Sequence, residues 1–182
     1  MRCFIAIDLP VEVREVLARV MRKIVQKRLI DAKFVEIDNL HLTMKFLGEI
    51  DVLILEKIQE NLKNIKQACF SVTLDGLGVF TPEFPRVLWA ALDGPAIFVL
   101  AEKIEQATEK LVPREQRSFA AHVTLARIKR VLSDEFYEFI EIGDTKKLTF
   151  TVDQFVLKKS ELTRDGPIYT DIACYQLKDS GH

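Results

Sequence analysis

The sequence predicts an α+β protein of two similar lobes with pseudo-two-fold duplication, each lobe an antiparallel sheet with helices outside it. Three observations predict it. Short runs with apolar residues at period two, rich in β-branched and aromatic types, outnumber helical runs by about nine to four. Several of these runs follow one another with no helix between them, which disfavours parallel β-α-β winding. One short pattern, His-apolar-Thr-apolar, also occurs twice, at His41-Leu42-Thr43-Met44 and at His122-Val123-Thr124-Leu125, nearly half the chain apart. No linker or low-complexity stretch divides the chain, so residues 1–182 read as a single bilobal domain with one histidine motif in each half.

In order, Cys3 to Leu9 reads as a strand ended by Pro10, which also suits the first turn of a helix. From Val11 to Leu29, Val13, Val16, Leu17, Val20, Met21, Ile24 and Val25 fall at helical spacing with Arg and Lys between them. The basic pairs Arg22-Lys23 and Lys27-Arg28 read as a solvated face of that helix. Lys33 to Glu36 reads as a short strand, and Asp38-Asn39 as a turn before the first His strand, which Gly48 closes.

A second helix is expected from Val52 to Gln67, with Leu55, Ile58, Leu62 and Ile65 inward, then a strand from Phe70 to Leu77. The Gly76-Leu77-Gly78 pattern lacks a third glycine and a following helix, so a phosphate cradle is not expected. Phe80 to Arg86 is a proline-punctuated loop whose aromatics either pack locally or stack on a nucleobase. A strand from Val87 to Leu92 leads into a helix from Pro95 to Leu111, then the second His strand, His122 to Ile128. A short helix near Ser133 to Ile140, strands at Leu148 to Val152 and Phe155 to Lys159, a turn at Arg164-Asp165-Gly166-Pro167 and a strand from Ile168 to Leu177 complete the chain. The end, Lys178 to His182, is expected to fray and His182 to have no role.

With 48% hydrophobic and 29% charged residues, the composition is that of a globular protein. The formal net charge of −1 provides no broad field for a polyanion, so any nucleic-acid contact is expected to be local, at an end or a small fragment. The same near-neutrality leans toward a monomer. Cys3, Cys69 and Cys174 are odd in number and widely separated, which suits buried thiols in a reducing, cytoplasmic setting. No apolar run has the length of a signal peptide or a membrane span, so neither export nor membrane insertion is expected.

The chemistry resides in the repeated motif. Residues two apart on a strand share a face, so His41 projects with Thr43, and His122 with Thr124. One such histidine is more often structural than catalytic; two, each with a hydroxyl at the same offset, reverse that weighting. Facing one cleft, two imidazoles can serve an in-line displacement at phosphorus. The neutral one accepts a proton from the attacking oxygen, and the protonated one supplies the leaving oxygen. The threonine hydroxyls can donate to the non-bridging oxygens. Two histidines without clustered cysteines do not demand a metal, and no cofactor is expected.

The paired motifs, with Phe4-Ile5-Ala6-Ile7, the longer His41-Leu42-Thr43-Met44-Lys45-Phe46-Leu47-Gly48, the trailing Arg127, Lys159-Ser160-Glu161-Leu162 and Gly166-Pro167-Ile168-Tyr169, resemble the 2H phosphoesterase superfamily. Within it, the resemblance is to the RNA 2′,3′-cyclic phosphodiesterase group, also called the 2′-5′ RNA ligase family, and it covers essentially the whole chain. It implies two antiparallel sheets flanked by helices around a central cleft, and metal-free opening of a 2′,3′-cyclic phosphate to a 2′-phosphate. Carried over, His41 protonates the departing 3′ oxygen, His122 activates water, and Thr43 and Thr124 hold the phosphate. By the same resemblance Arg127 binds the phosphate, although strict alternation puts it on the face opposite His122 unless the strand ends or bulges. Alternation puts Lys45 on the His41 face, as a second cation or a lysine reaching solvent. Partners are then RNA ends or small cyclic phosphate nucleotides, and some relatives also run the reverse 2′-5′ joining. The alternatives are a phosphodiesterase for small nucleotides or 2′-5′ oligonucleotides, and an RNA-end binding module without turnover.

Overall fold

The computed structural model describes residues 1–143, 145 and 147–178, so the expectation for His182 lies outside the described residues. Among them are nine strands and four α-helices, in the order β1 (Arg2–Asp8), α1 (Val11–Gln26), β2 (Ile30–Phe34), β3 (His41–Glu49), α2 (Val52–Lys63), β4 (Phe70–Val79), β5 (Val87–Asp93), α3 (Pro95–Thr108), β6 (His122–Val131), α4 (Glu135–Ile142), β7 (Thr149–Val152), β8 (Gln154–Leu162) and β9 (Pro167–Gln176). A single 3₁₀ turn, Ile37–Asn39, joins β2 to β3.

The strands form one curled antiparallel sheet in the order β7-β4-β5-β6-β3-β1-β8-β9, with β2 also on the edge of β6. The two predicted sheets are thus two halves of one. Their join is narrow: β3 and β6 share the single register pair Leu42–Val123. The rest of that β6 edge, from Ala126 to Val131, is taken by β2.

One face of the sheet carries the core. Helix α1 buries Val13, Val16, Leu17, Val20, Met21 and Ile24, each side chain contributing about 1.5–3 kcal/mol. The periodicity predicts helix as far as Leu29, but the chain leaves at Lys27. Arg28 turns into the left-handed region (φ 52°) and the Leu29 N–H donates back to Ile24 O at 3.2 Å. Leu29 is needed in the core, and β2 has to begin at Ile30. Asp51 caps α2 by accepting from the Ile54 N–H at 2.8 Å, worth about 1 kcal/mol. Helices α2 and α3 pack on each other and beneath β9 and β3, whereas α1 lies beside β2 and α4 beside β4. No helix among the described residues is long and apolar enough to cross a membrane.

Candidate active site

The join between the half-sheets sets the site. Leu42 and Val123 both point into the core, exposed by only 1% and 0%, so their neighbours on either side emerge on the opposite face. Those neighbours are His41, Thr43, His122 and Thr124. Opposed around one antiparallel pair, they bring His41 alongside Thr124 and Thr43 alongside His122. In a regular ladder the two histidines are diagonal neighbours, roughly 7–8 Å apart.

Each motif also carries a bulge three residues after its histidine. On β3, Thr43 pairs with Ala6 and Lys45 with Ile5, leaving Met44 extra. On β6, Thr124 pairs with Trp89 and Ala126 with Leu88, leaving Leu125 extra. A bulge of one residue exchanges faces for everything beyond it. Arg127 is therefore returned to the His122 side, where it is exposed. Lys45 moves the other way. The expectation that it shares the His41 face fails: it is 3% exposed, and its Nζ bonds Glu105 Oε1 of α3 at 2.6 Å. Phe46 takes the cleft-side place, 57% exposed.

Both imidazoles are fixed by the same backbone device. His41 Nδ1–H donates to Asn39 O at 2.7 Å, and His122 Nδ1–H donates to Ala120 O at 2.8 Å. A carbonyl only accepts, so each neutral ring presents Nε2 as its basic atom. At His41 the Thr43 hydroxyl reaches that atom at 3.0 Å. The Asn39 side chain donates to Pro167 O at 3.0 Å, tying the start of β9 to the turn that carries this carbonyl.

Aromatic rings line both pockets. Phe4 is the floor beneath His41 at 5.0 Å, and it also touches Tyr169 at 4.9 Å and Phe46 at 6.3 Å; Tyr169 meets His41 edge-on at 5.3 Å. His122 is met edge-on by Phe80 at 5.1 Å and by Trp89 at 6.4 Å. Phe80, at the start of the proline-punctuated loop, thus packs on the motif and on Trp89. Gly78 lies under the Trp89 indole, and a Cβ there would come within 2.3 Å of Cη2. That close approach accounts for the second glycine of the Gly-x-Gly pattern.

Sequence reasoning missed Asp8 and Lys158. Asp8 stands opposite His41 at the end of β1, and Lys158 stands opposite Phe4 on β8. Lys158 Nζ bonds Asp171 at 2.6 Å and Asp8 at 3.1 Å. Burial opposes its charge, but hydrogen bonds to Asp171 and Asp8 hold its pKa above the ordinary lysine value. The available signal was a lysine at an inward position of a strand, with Asp8 and Asp171 ending or interrupting apolar alternation. Burial is also the largest influence on His41, pulling it below the usual histidine pKa. The Asn39 carbonyl and Asp8 oppose that shift, while Lys158 and His122 add to it. His122 is thus close enough for its charge to be felt at His41.

The family profile LigT like Phosphoesterase matches two stretches, 7–89 and 93–169, one around each motif. The chain is 31% identical over 182 residues to an RNA 2′,3′-cyclic phosphodiesterase of Methanothermobacter thermautotrophicus, with 97% of this chain and 98% of that protein covered. Among solved structures it is similar to TT0787 of Thermus thermophilus, with TM-score 0.84, 30% identity and full coverage of both chains. It is also similar to E. coli LigT complexed with 3′-AMP, with TM-score 0.76, 26% identity and coverage of 97% and 96%.

Proposed function

Because the chain belongs to the LigT-like phosphoesterases, a family of enzymes, we propose that its two-histidine cleft opens 2′,3′-cyclic phosphates at RNA ends to 2′-phosphates without a metal. The observation that carries this reading is the placement of His41 and His122 on one sheet face around a single cross-strand pair, each with Nδ1 bound to backbone. Two basic nitrogens then lie on one face at a separation on the scale of one phosphoryl group and its two axial oxygens.

In the proposed step, neutral His122 takes a proton from water as the water oxygen bonds to phosphorus. The bond from phosphorus to O3′ breaks, and protonated His41 delivers its proton to O3′, leaving a free 3′ hydroxyl and a 2′-phosphate. Thr43, Thr124 and Arg127 hold the non-bridging oxygens as charge builds on them. His122 ends protonated and His41 neutral, so exchange with solvent resets the pair. With the 5′ hydroxyl of a second RNA end in place of water, the same forward step bonds O5′ to phosphorus, releases O3′ and forms a 2′-5′ linkage.

Burial favours neutral His41, and an incoming phosphodiester anion works with Asp8 to load its proton. The test is hydrolysis of an RNA ending in a 2′,3′-cyclic phosphate, with chelator present, by the wild type and by His41→Ala and His122→Ala. Each variant is expected to lose about 10²- to 10⁴-fold in kcat, and the product to carry its phosphate on the 2′ oxygen by NMR. Full activity in either variant ends the proposal. A second reading, turnover of small nucleotides, is favoured by the complex of E. coli LigT with 3′-AMP.

A further inference from the structure

The register of β2 against β6 puts Lys33 directly opposite Arg127. Cross-strand partners share a face, so Lys33 emerges on the cleft side with His122, Thr124 and Arg127. Burial agrees: Ile30 is buried, Ala32 and Phe34 pack against the core, and Asp31 and Lys33 are exposed. Like charges directly opposite each other are destabilising, and neither cation has an acidic partner among the described residues. One step further out, Asp31 opposes Arg130, so there the charges offset. Among these cross-strand pairs, Lys33–Arg127 is the one in which two cations oppose each other.

The pair has a direction. The bulge at Leu125 puts Arg127 on the His122 side of the sheet, one strand row beyond Thr124. Lys33 stands beside Arg127 on the edge of β6 that also carries β3, three residues and one bulge along β6 from Thr124, roughly 7–10 Å away. That is the scale of one nucleotide. We propose that Lys33 binds the first phosphodiester upstream of the cyclic end, making the preferred substrate an oligonucleotide end rather than a mononucleotide. This rests on the function proposed above and names its substrate class. The overall charge of −1 hid it, because the field is local and made by register.

The test compares kcat/KM for a short RNA and for a mononucleoside, both ending in a 2′,3′-cyclic phosphate, in the wild type, Lys33→Ala, Lys33→Arg, Arg2→Ala and Lys57→Ala. The wild type should favour the oligonucleotide. In Lys33→Ala the ratio of the two constants should fall roughly three- to tenfold, as for a solvent-screened charged hydrogen bond. The dependence of log kcat/KM on log salt for the oligonucleotide should flatten by about 0.7. Lys33→Arg should restore the ratio, and Lys57→Ala, on the outer face of α2, should leave it unchanged. No wild-type preference, or an unchanged ratio in Lys33→Ala, overturns the proposal. So does a loss in Arg2→Ala alone, which would run the RNA along the other lobe. If the wild type opens neither cyclic phosphate, the proposed function has failed. The track is then judged by anisotropy with a 3′-phosphorylated oligonucleotide, where equal affinity and salt slope in wild type and Lys33→Ala overturn it.

Discussion

His41 and His122 hold their Nδ1 protons against carbonyls two residues back at nearly equal distances, 2.7 and 2.8 Å, yet their surroundings diverge. His41 sits deep on Phe4 and Tyr169, its Nε2 bonded by Thr43, with the Lys158 ion-pair cluster beside it. His122 is flanked by Phe80 and Trp89, and beyond its bulge comes a cation, Arg127, where the other lobe has Phe46. A repeated motif therefore supplies two identical backbone mounts and two different environments. A reaction that needs one imidazole charged and one neutral depends on that difference.

The largest break in the pairing comes from removing both rings. On the proposed acid-base pairing, His41→Ala/His122→Ala should lose no more than the worse single variant; a further loss on the scale of a second single substitution, measured as kcat, would mean they work independently. Next, Thr43→Val and Thr124→Val each remove one hydroxyl with little change of shape, and each should cost on the order of tenfold in kcat, the worth of one neutral hydrogen bond. Thr43→Val should also move the His41 resonances in NMR, since the Thr43 hydroxyl bonds His41 Nε2.

The lowered His41 pKa sharpens the assignment of roles. If His41 is the acid, kcat/KM, which reports the free enzyme, falls as pH rises through a value below 6.5, by about tenfold per pH unit. A constant that instead rises through that value would exchange acid and base. The smallest effect belongs to the support under His122. Gly78→Ala drives a methyl into the Trp89 ring and should destabilise by about 1–3 kcal/mol. Trp89 is the only tryptophan, so a fluorescence shift accompanying a raised urea sensitivity reports its displacement directly.

Strand and helix order were legible because period two and period 3.6 are local properties. The two His-x-Thr pairs were legible for the same reason, as alternation is secure over three residues. Alternation misled at Lys45 and Arg127. A bulge at Met44 or Leu125 is a property of the partner strands, β1 and β5, and nothing in the apolar run His41 to Leu47 marks which residue goes unpaired. Asp8 and Lys158 escaped for a related reason: a carboxylate at a strand end reads as a terminator and a strand lysine as solvated until β1 and β8 are known to be neighbours. The helix ends were overrun where core demand, at Leu29, outweighed propensity.

The seam at Leu42–Val123 has a consequence for how the molecule comes into being. Its partners are distant along the polypeptide, so the two histidines are brought together only by a non-local contact, which carries a loop-closure cost before it forms. A ribosome must release β6 before His41 and His122 can share one sheet face. Until then the two motifs stay on separate half-sheets, and the face that unites them does not exist.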